Sequence, residues 1–273
     1  MKTPITYYGG KQYLSKFIVG MMPKHDIYVE PYFGGGAVFF TKGPSHLEVI
    51  NDSNNVLMTF YETCQSEEKF AQLQMLIKST LHSEAAYRKA YDIYHHPERY
   101  GYVDIAWAVW MVTNISFTGS PQGGWKWDNG TSGSHSGVVM NNYRSAFTKK
   151  IFERLRYVQI SSRDAITVIR QRDSENTFFY LDPPYPDTVQ KHYRGFTFDS
   201  LNELLTLLHS IKGRFLLSNF PSKVLMKHIK DNGWNVKQMD ISSHVSNFQG
   251  EAKRKPEVLV YNYTLEPQLF EIV

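Results

Sequence analysis

Thr177-Phe178-Phe179-Tyr180-Leu181-Asp182-Pro183-Pro184-Tyr185 is the stretch that decides the fold. Its first five residues are apolar or β-favouring and read as a strand buried on both faces. A carboxylate follows at once, and then two prolines, which fix the backbone and remove two N–H donors. The carbonyl oxygens there stay free as acceptors. Open α/β sheets bind ligands just past the carboxyl ends of their strands. A carboxylate and carbonyls converging at such a place can hold an exocyclic –NH2, which offers two donors, and Tyr185 offers a flat face to the ring that carries it.

Working outward, further strand-length runs occur at Tyr157–Ser161, Arg214–Ser218, Trp234–Ile241 and Val258–Tyr263 in the same half, and at Ile27–Glu30 and Leu47–Asn51 near the start. Amphipathic stretches at Leu201–Ser210 and Ser222–Asp231 separate some of them. Strands alternating with helices imply an α/β sheet, mostly parallel and covered on both faces. No helical pattern lies between the last two runs, which therefore form an antiparallel pair at the sheet edge. From Asn54 to Arg156 strand signals nearly vanish. Val56–Thr63, Glu67–Leu81, Glu84–Tyr94 and Ala106–Thr113 have helical spacing instead. The chain thus divides into a sheet domain, residues 1–56 and 157–273, and a mainly helical insert, residues 57–156.

Two further features flank the first sheet segment. Glu30-Pro31-Tyr32-Phe33-Gly34-Gly35-Gly36 follows a strand, where glycines permit a tight turn and close approach of backbone to a ligand. It is no dinucleotide fingerprint, because Phe39 stands at the third glycine position. Nor is Gly9-Gly10-Lys11 a Walker A loop, since Gln12 follows it and Ile5 holds the first glycine position. Asp52 ends the next strand. It is placed to accept hydrogen bonds from two ribose hydroxyls, or else to cap the helix that begins near Asn54. A ribose without a phosphate cradle points to an adenosine-containing ligand that is not a dinucleotide.

Composition narrows the rest. The net charge of +4 permits a polyanionic partner without demanding one, and 15% aromatic residues serve as core filler or as platforms for bases. A single cysteine, Cys64, excludes a disulfide framework and Cys-rich metal sites. Histidines are scattered, with no metal-ligand spacing, so no metal is expected. The longest apolar run, Ile105–Val112, is far short of the ~20 residues that span a bilayer. With no signal-like segment at the start, a cytoplasmic protein without membrane contact is expected.

These elements, in this order, resemble the Dam type of S-adenosylmethionine-dependent N6-adenine DNA methyltransferases, over nearly the whole chain. The resemblance runs from Tyr7-Tyr8-Gly9-Gly10-Lys11 through Glu30–Gly36, Ile50–Asn54 and Asp182–Tyr185 to Leu217-Ser218-Asn219 and Val258–Tyr263. The order, with the glycine turn first, is that of the family's α group. It implies a Rossmann-like class I methyltransferase sheet. It also implies a cofactor pocket lined by Tyr7, Lys11, Phe33, Gly34, Gly36, Asp52 and Asp182. Lys11 would sit near the methionine carboxylate and Asp52 on the ribose. Asp164 would read the cofactor adenine, or else cap the helix after it. Asp in the first position of the DPPY element favours adenine N6 over cytosine N4. Asp182, Pro183 and Tyr185 would form the catalytic clamp, with the target base flipped out of double-stranded DNA onto Tyr185. The product would be S-adenosylhomocysteine.

The insert is expected to read DNA. Trp125, Lys126 and Trp127 lie in a stretch, Gly119–Gly137, with six glycines in nineteen residues. Arg144, Lys149, Lys150, Arg154 and Arg156 make a basic strip, for phosphates or simply for water. Asn114–Gly119 is similar to the family's recognition hairpin, and Ser120–Gly123 stands where GATC-selective relatives carry an arginine. Lys253–Lys255 is a second candidate backbone contact or plain surface. A companion restriction endonuclease is compatible with this reading. The rival expectations are methylation of an amine in RNA or on a protein glutamine, and a catalytically silent DNA-binding relative.

Overall fold

A computed structural model describes residues 1–117, 119, 123–129, 135–186, 196–239 and 257–265. Lys253–Lys255, Ser120–Gln122 and the last two residues of the Trp234–Ile241 run lie outside them. In chain order the elements are α1 (Ser15–Met21), β1 (Ile27–Glu30), α2 (Ala37–Thr41), β2 (Leu47–Asn51), α3 (Asn55–Gln65), α4 (Glu67–Ser79), α5 (Glu84–His95) and α6 (Tyr102–Asn114). After these come α7 (Ser136–Ala146), α8 (Lys149–Leu155), β3 (Gln159–Ser161), α9 (Ala165–Arg172), β4 (Thr177–Leu181), α10 (Phe198–Ser210), β5 (Arg214–Asn219), α11 (Lys223–Asn232), β6 (Asn235–Met239) and β7 (Glu257–Tyr261).

The chain forms two compact units, the first of residues 1–20 and 33–165, the second of residues 21–32 and 166–273. In the second unit the strand order is β1-β4-β5-β7-β6. β1, β4 and β5 are parallel neighbours, with Ile27 opposite Thr177 and Phe179 opposite Phe215. Every residue of β4 is buried, as a central strand covered on both faces requires. β7 runs antiparallel to both β5 and β6, and the expected antiparallel pair is indeed the sheet edge. β6, mostly exposed, is the outermost strand. α10 starts at Phe198, three residues before the expected Leu201, because Thr197 and Ser200 form a capping box.

In the first unit β2 and β3 pair in parallel, Val49 opposite Gln159. The expected strand from Tyr157 begins only at Gln159, because Tyr157 is 81% exposed beyond α8. Around this pair the unit is helical. α6 is buried from Ile105 to Asn114 and packs against α3, α4 and α5, so the apolar run serves as a core helix. Asn54, Ser66 and Ser83 cap α3, α4 and α5 with their side chains. The cap of α3 is thus Asn54, and Asp52 is left for another role. The expected fold class, a mostly parallel sheet with helices and an antiparallel edge pair, is the observed one.

Candidate functional site

In the first unit the glycine turn and the end of β2 are locked together through Asp52. Gly34 N–H donates to Asp52 Oδ2 and Asn54 N–H to Oδ1, both at 2.9 Å. The carboxyl is 8% exposed and faces no cation among its described partners. Burial raises its pKa; the two N–H groups only partly offset that. Phe33 N–H donates to Asn51 carbonyl oxygen, and the buried Tyr61 hydroxyl donates to Gly34 carbonyl oxygen, which completes the frame.

The glycines are required by what lies on them. Gly34 and Gly36 have φ of 48° and 66°, the left-handed region. A Cβ on Gly34 would stand 3.0 Å from the Tyr7 ring, and one on Gly36 only 2.5 Å from Phe33 Cζ. Tyr7 therefore lies across bare backbone. Phe33 folds under the turn, 2% exposed, its ring centroid 4.7 Å from Tyr61 and 5.5 Å from Phe39. Its ring belongs to the floor of the turn. Lys11 is buried, with Nζ 3.5 Å from Gly9 carbonyl oxygen.

Two asparagines that the sequence reading gave no role position this region. Asn51 is fully buried. Its Oδ1 accepts from Ser161 Oγ and Arg163 N–H, and its Nδ2 donates to Arg163 carbonyl oxygen. The loop bearing the exposed Asp164 is thereby fixed to the end of β2. Asn114, at the end of α6, accepts from Thr6 N–H at 2.8 Å and donates to Pro4 carbonyl oxygen, which anchors the segment leading to Tyr7. Only long-range pairing assigns such roles; the local sequence has no signal for them.

In the second unit Asp182-Pro183-Pro184-Tyr185 leaves the carboxyl end of β4 as expected. Asp182 is half-buried and Pro183 buried. The Tyr185 hydroxyl is 3.1 Å from Asp182 Oδ1 and 2.9 Å from Glu257 Oε1, and its ring stands 4.5 Å from Phe220. Asn219, next to it on β5, is buried; its Nδ2 has no partner among the described residues.

The DNA-contact candidates separate into anchors and exposed groups. Ser116 bridges to Trp125 antiparallel, and Lys126 N–H donates to Ile115 carbonyl oxygen, so 115–117 and 124–126 form a short hairpin. Trp125 packs on His82, and Lys126 carbonyl oxygen is 3.1 Å from His82 Nε2. Trp127 is 56% exposed. Arg144 is half-buried and donates to Thr80 carbonyl oxygen. Lys149 and Lys150 are exposed, the first 3.6 Å from Glu67. Arg154 does not belong to a phosphate strip. Its guanidinium turns inward onto Glu48 and over the Phe39 ring, because Glu48 is buried and needs a counter-charge.

A family model described as D12 class N6 adenine-specific DNA methyltransferase matches residues 7–117. The Type II methyltransferase M1.LlaDCHI of Lactococcus lactis subsp. cremoris is 25% identical over 280 residues, covering 93% of each chain. Modification methylase StsI of Streptococcus sanguinis is 24% identical over 299 residues; the match takes in 96% of this chain but 43% of that protein. Among solved structures, an rRNA methylase from Streptococcus thermophilus is 7% identical with a TM-score of 0.35, over 91% of this chain and 93% of the other. The rRNA methyltransferase aviRa from Streptomyces viridochromogenes is 11% identical with a TM-score of 0.33, over 90% and 81%. Among the described residues no helix is long and apolar enough to cross a membrane. With its glycine turn, Asp52 and DPPY element in that order, the chain is similar to the D12 class of N6 adenine-specific DNA methyltransferases over residues 7–117, and to two methylases over nearly its whole length.

Proposed function

We propose that the protein moves a methyl group from S-adenosylmethionine to N6 of adenine in double-stranded DNA, with the base flipped into the Asp182–Tyr185 element. The observation that carries this is the placement of a half-buried carboxylate and two prolines directly past the buried strand β4. When bound, the cofactor supplies an electrophilic methyl on a sulfonium.

The residues of the first unit fit such a group. Each Asp52 oxygen accepts one backbone N–H and keeps a lone pair, as two vicinal ribose hydroxyls need. Tyr7 and the bare backbone of the glycine turn offer a flat, close surface. Lys11 supplies a cation for the methionine carboxylate. Asp164 is assigned to the cofactor adenine.

N6 of adenine is a weak nucleophile, its lone pair delocalised into the ring. Asp182 accepts a hydrogen bond from one N6 proton and the Pro183 carbonyl accepts the other. Together they orient the nitrogen and stabilise the positive charge that develops on it. Unstacking the base costs a few kcal/mol, which the Tyr185 ring offsets by stacking. Residues 57–156 are assigned to DNA reading, with Trp127, Lys149 and Lys150 as the exposed contacts. The names of the two relatives favour a companion restriction endonuclease that the methylation would block.

The test is incubation with methyl-labelled cofactor and double-stranded DNA, RNA or protein, followed by digestion of the DNA to nucleosides. We expect label in N6-methyldeoxyadenosine, and none with Asp182→Ala at unchanged thermal unfolding. Label in RNA, protein or another base contradicts the reading.

A further inference from the structure

Tyr94, half-buried in the last turn of α5, carries a hydroxyl proton with no acceptor among the described residues. α3 and α5 both pack against α6, which brings the end of α5 to the start of α3. There Asn54 Nδ2 lies 3.1 Å from the Tyr94 oxygen. The orientation of that amide is fixed, because Asn54 Oδ1 already accepts Leu57 N–H at 3.2 Å as the cap of α3. The group facing Tyr94 is therefore the –NH2, a donor, and the Tyr94 oxygen accepts. Its own proton must point elsewhere.

The same Asn54 donates its backbone N–H to Asp52 Oδ1 at 2.9 Å, so one residue holds the phenol and the carboxylate side by side. No hydrogen bond joins the two among the described residues, although the Asp52 charge is felt at Tyr94. Tyr94 keeps its proton at neutral pH: burial raises its pKa, the hydrogen bond from Asn54 opposes this, and the Asp52 charge raises it again. A donor and an acceptor that stand close without meeting suit a ligand group that is both, and a hydroxyl is such a group. Resting on the functional reading above, we propose that Tyr94 binds the ribose at the Asp52 site. It donates to the oxygen of one ribose hydroxyl, whose own proton goes to Asp52. Asn54 begins a chain of hydrogen bonds that runs through tyrosine and ribose to the carboxylate, each link polarising the next. The segment assigned to DNA reading thereby also supplies a side chain to the cofactor.

The test is calorimetric titration of the unaltered protein and of Tyr94→Phe with S-adenosylhomocysteine and with its 2′-deoxy and 3′-deoxy forms. Phenylalanine keeps the ring and removes only the hydroxyl. We expect it to weaken binding of S-adenosylhomocysteine about fivefold, the net effect of one hydrogen bond. With one of the two deoxy forms, which lacks the oxygen that takes the proton, the same substitution should cost less than about twofold. An unchanged affinity for S-adenosylhomocysteine overturns the proposal. So does an equal loss with all three compounds, which is what a merely structural effect on the α3 cap would give. If the unaltered protein binds S-adenosylhomocysteine saturably, either result removes Tyr94 from the site and leaves the functional reading standing. Absence of saturable binding by the unaltered protein removes both.

Discussion

The two ends of β2 each bury a carboxylate, and they are treated in opposite ways. At Glu48 the charge is matched. Lys42 Nζ donates to Oε1 at 2.5 Å, and Arg154 grips both oxygens while it donates to Phe39 carbonyl oxygen and stacks 3.6 Å over the Phe39 ring. Burial alone would raise the Glu48 pKa, but the hydrogen bonds from Arg154 and Lys42 outweigh it, and the net shift is downward. Four residues on, Asp52 receives two backbone N–H groups, and its pKa is raised. A charge fully answered inside the fold is structural. A buried charge held by neutral donors alone, with lone pairs remaining, is suited to a ligand.

Breaking the matched end should have the largest effect. Glu48→Gln leaves Lys42 and Arg154 buried without a counter-charge and should cost about 3–5 kcal/mol, measured by chemical denaturation. The sign with pH follows from the lowered pKa. The stability from Glu48 is present above its ordinary value of 4.5 and is lost as pH falls through the lowered one. The gap between the two proteins should therefore close in acid. Asp52 works the other way: its contribution is full below 3.8 and is lost as pH rises through its raised pKa.

Gly36→Ala attacks the turn that delivers Gly34 to Asp52. A Cβ 2.5 Å from Phe33 Cζ at a φ of 66° should cost about 1–3 kcal/mol, visible as a lowered melting temperature. Asp52→Asn should change ligand-free stability by about 1 kcal/mol or less, because relief of the buried charge offsets one lost N–H acceptor. A loss as large as that of Glu48→Gln would erase the contrast. Lys149→Ala, at an exposed pair with Glu67, should change stability by about 0.5 kcal/mol or less. If Lys149 meets a phosphate, the salt slope of DNA binding falls by about one.

Much of this was legible in local pattern. The buried strand before Asp182, the amphipathic α10, the helices of the middle segment and the place of Asp52 all follow from periodicity and punctuation. What was not legible depends on distant partners. Arg154 reads as one of a run of basic residues until Glu48, 106 positions away, is seen beside it. Phe33 reads as pocket lining, yet Gly36 makes room for its ring beneath the turn. Asn51 acts through a loop after the neighbouring strand, which no single segment displays.

Calorimetric titration with S-adenosylmethionine, comparing the unaltered protein with Asp52→Asn, tests most directly whether the Asp52 charge is kept for a ribose. We expect saturable binding to the first and at least tenfold weaker binding to the second, since a hydrogen bond to a charged group contributes about 1.5–3 kcal/mol. Equal affinity in the two proteins would contradict it.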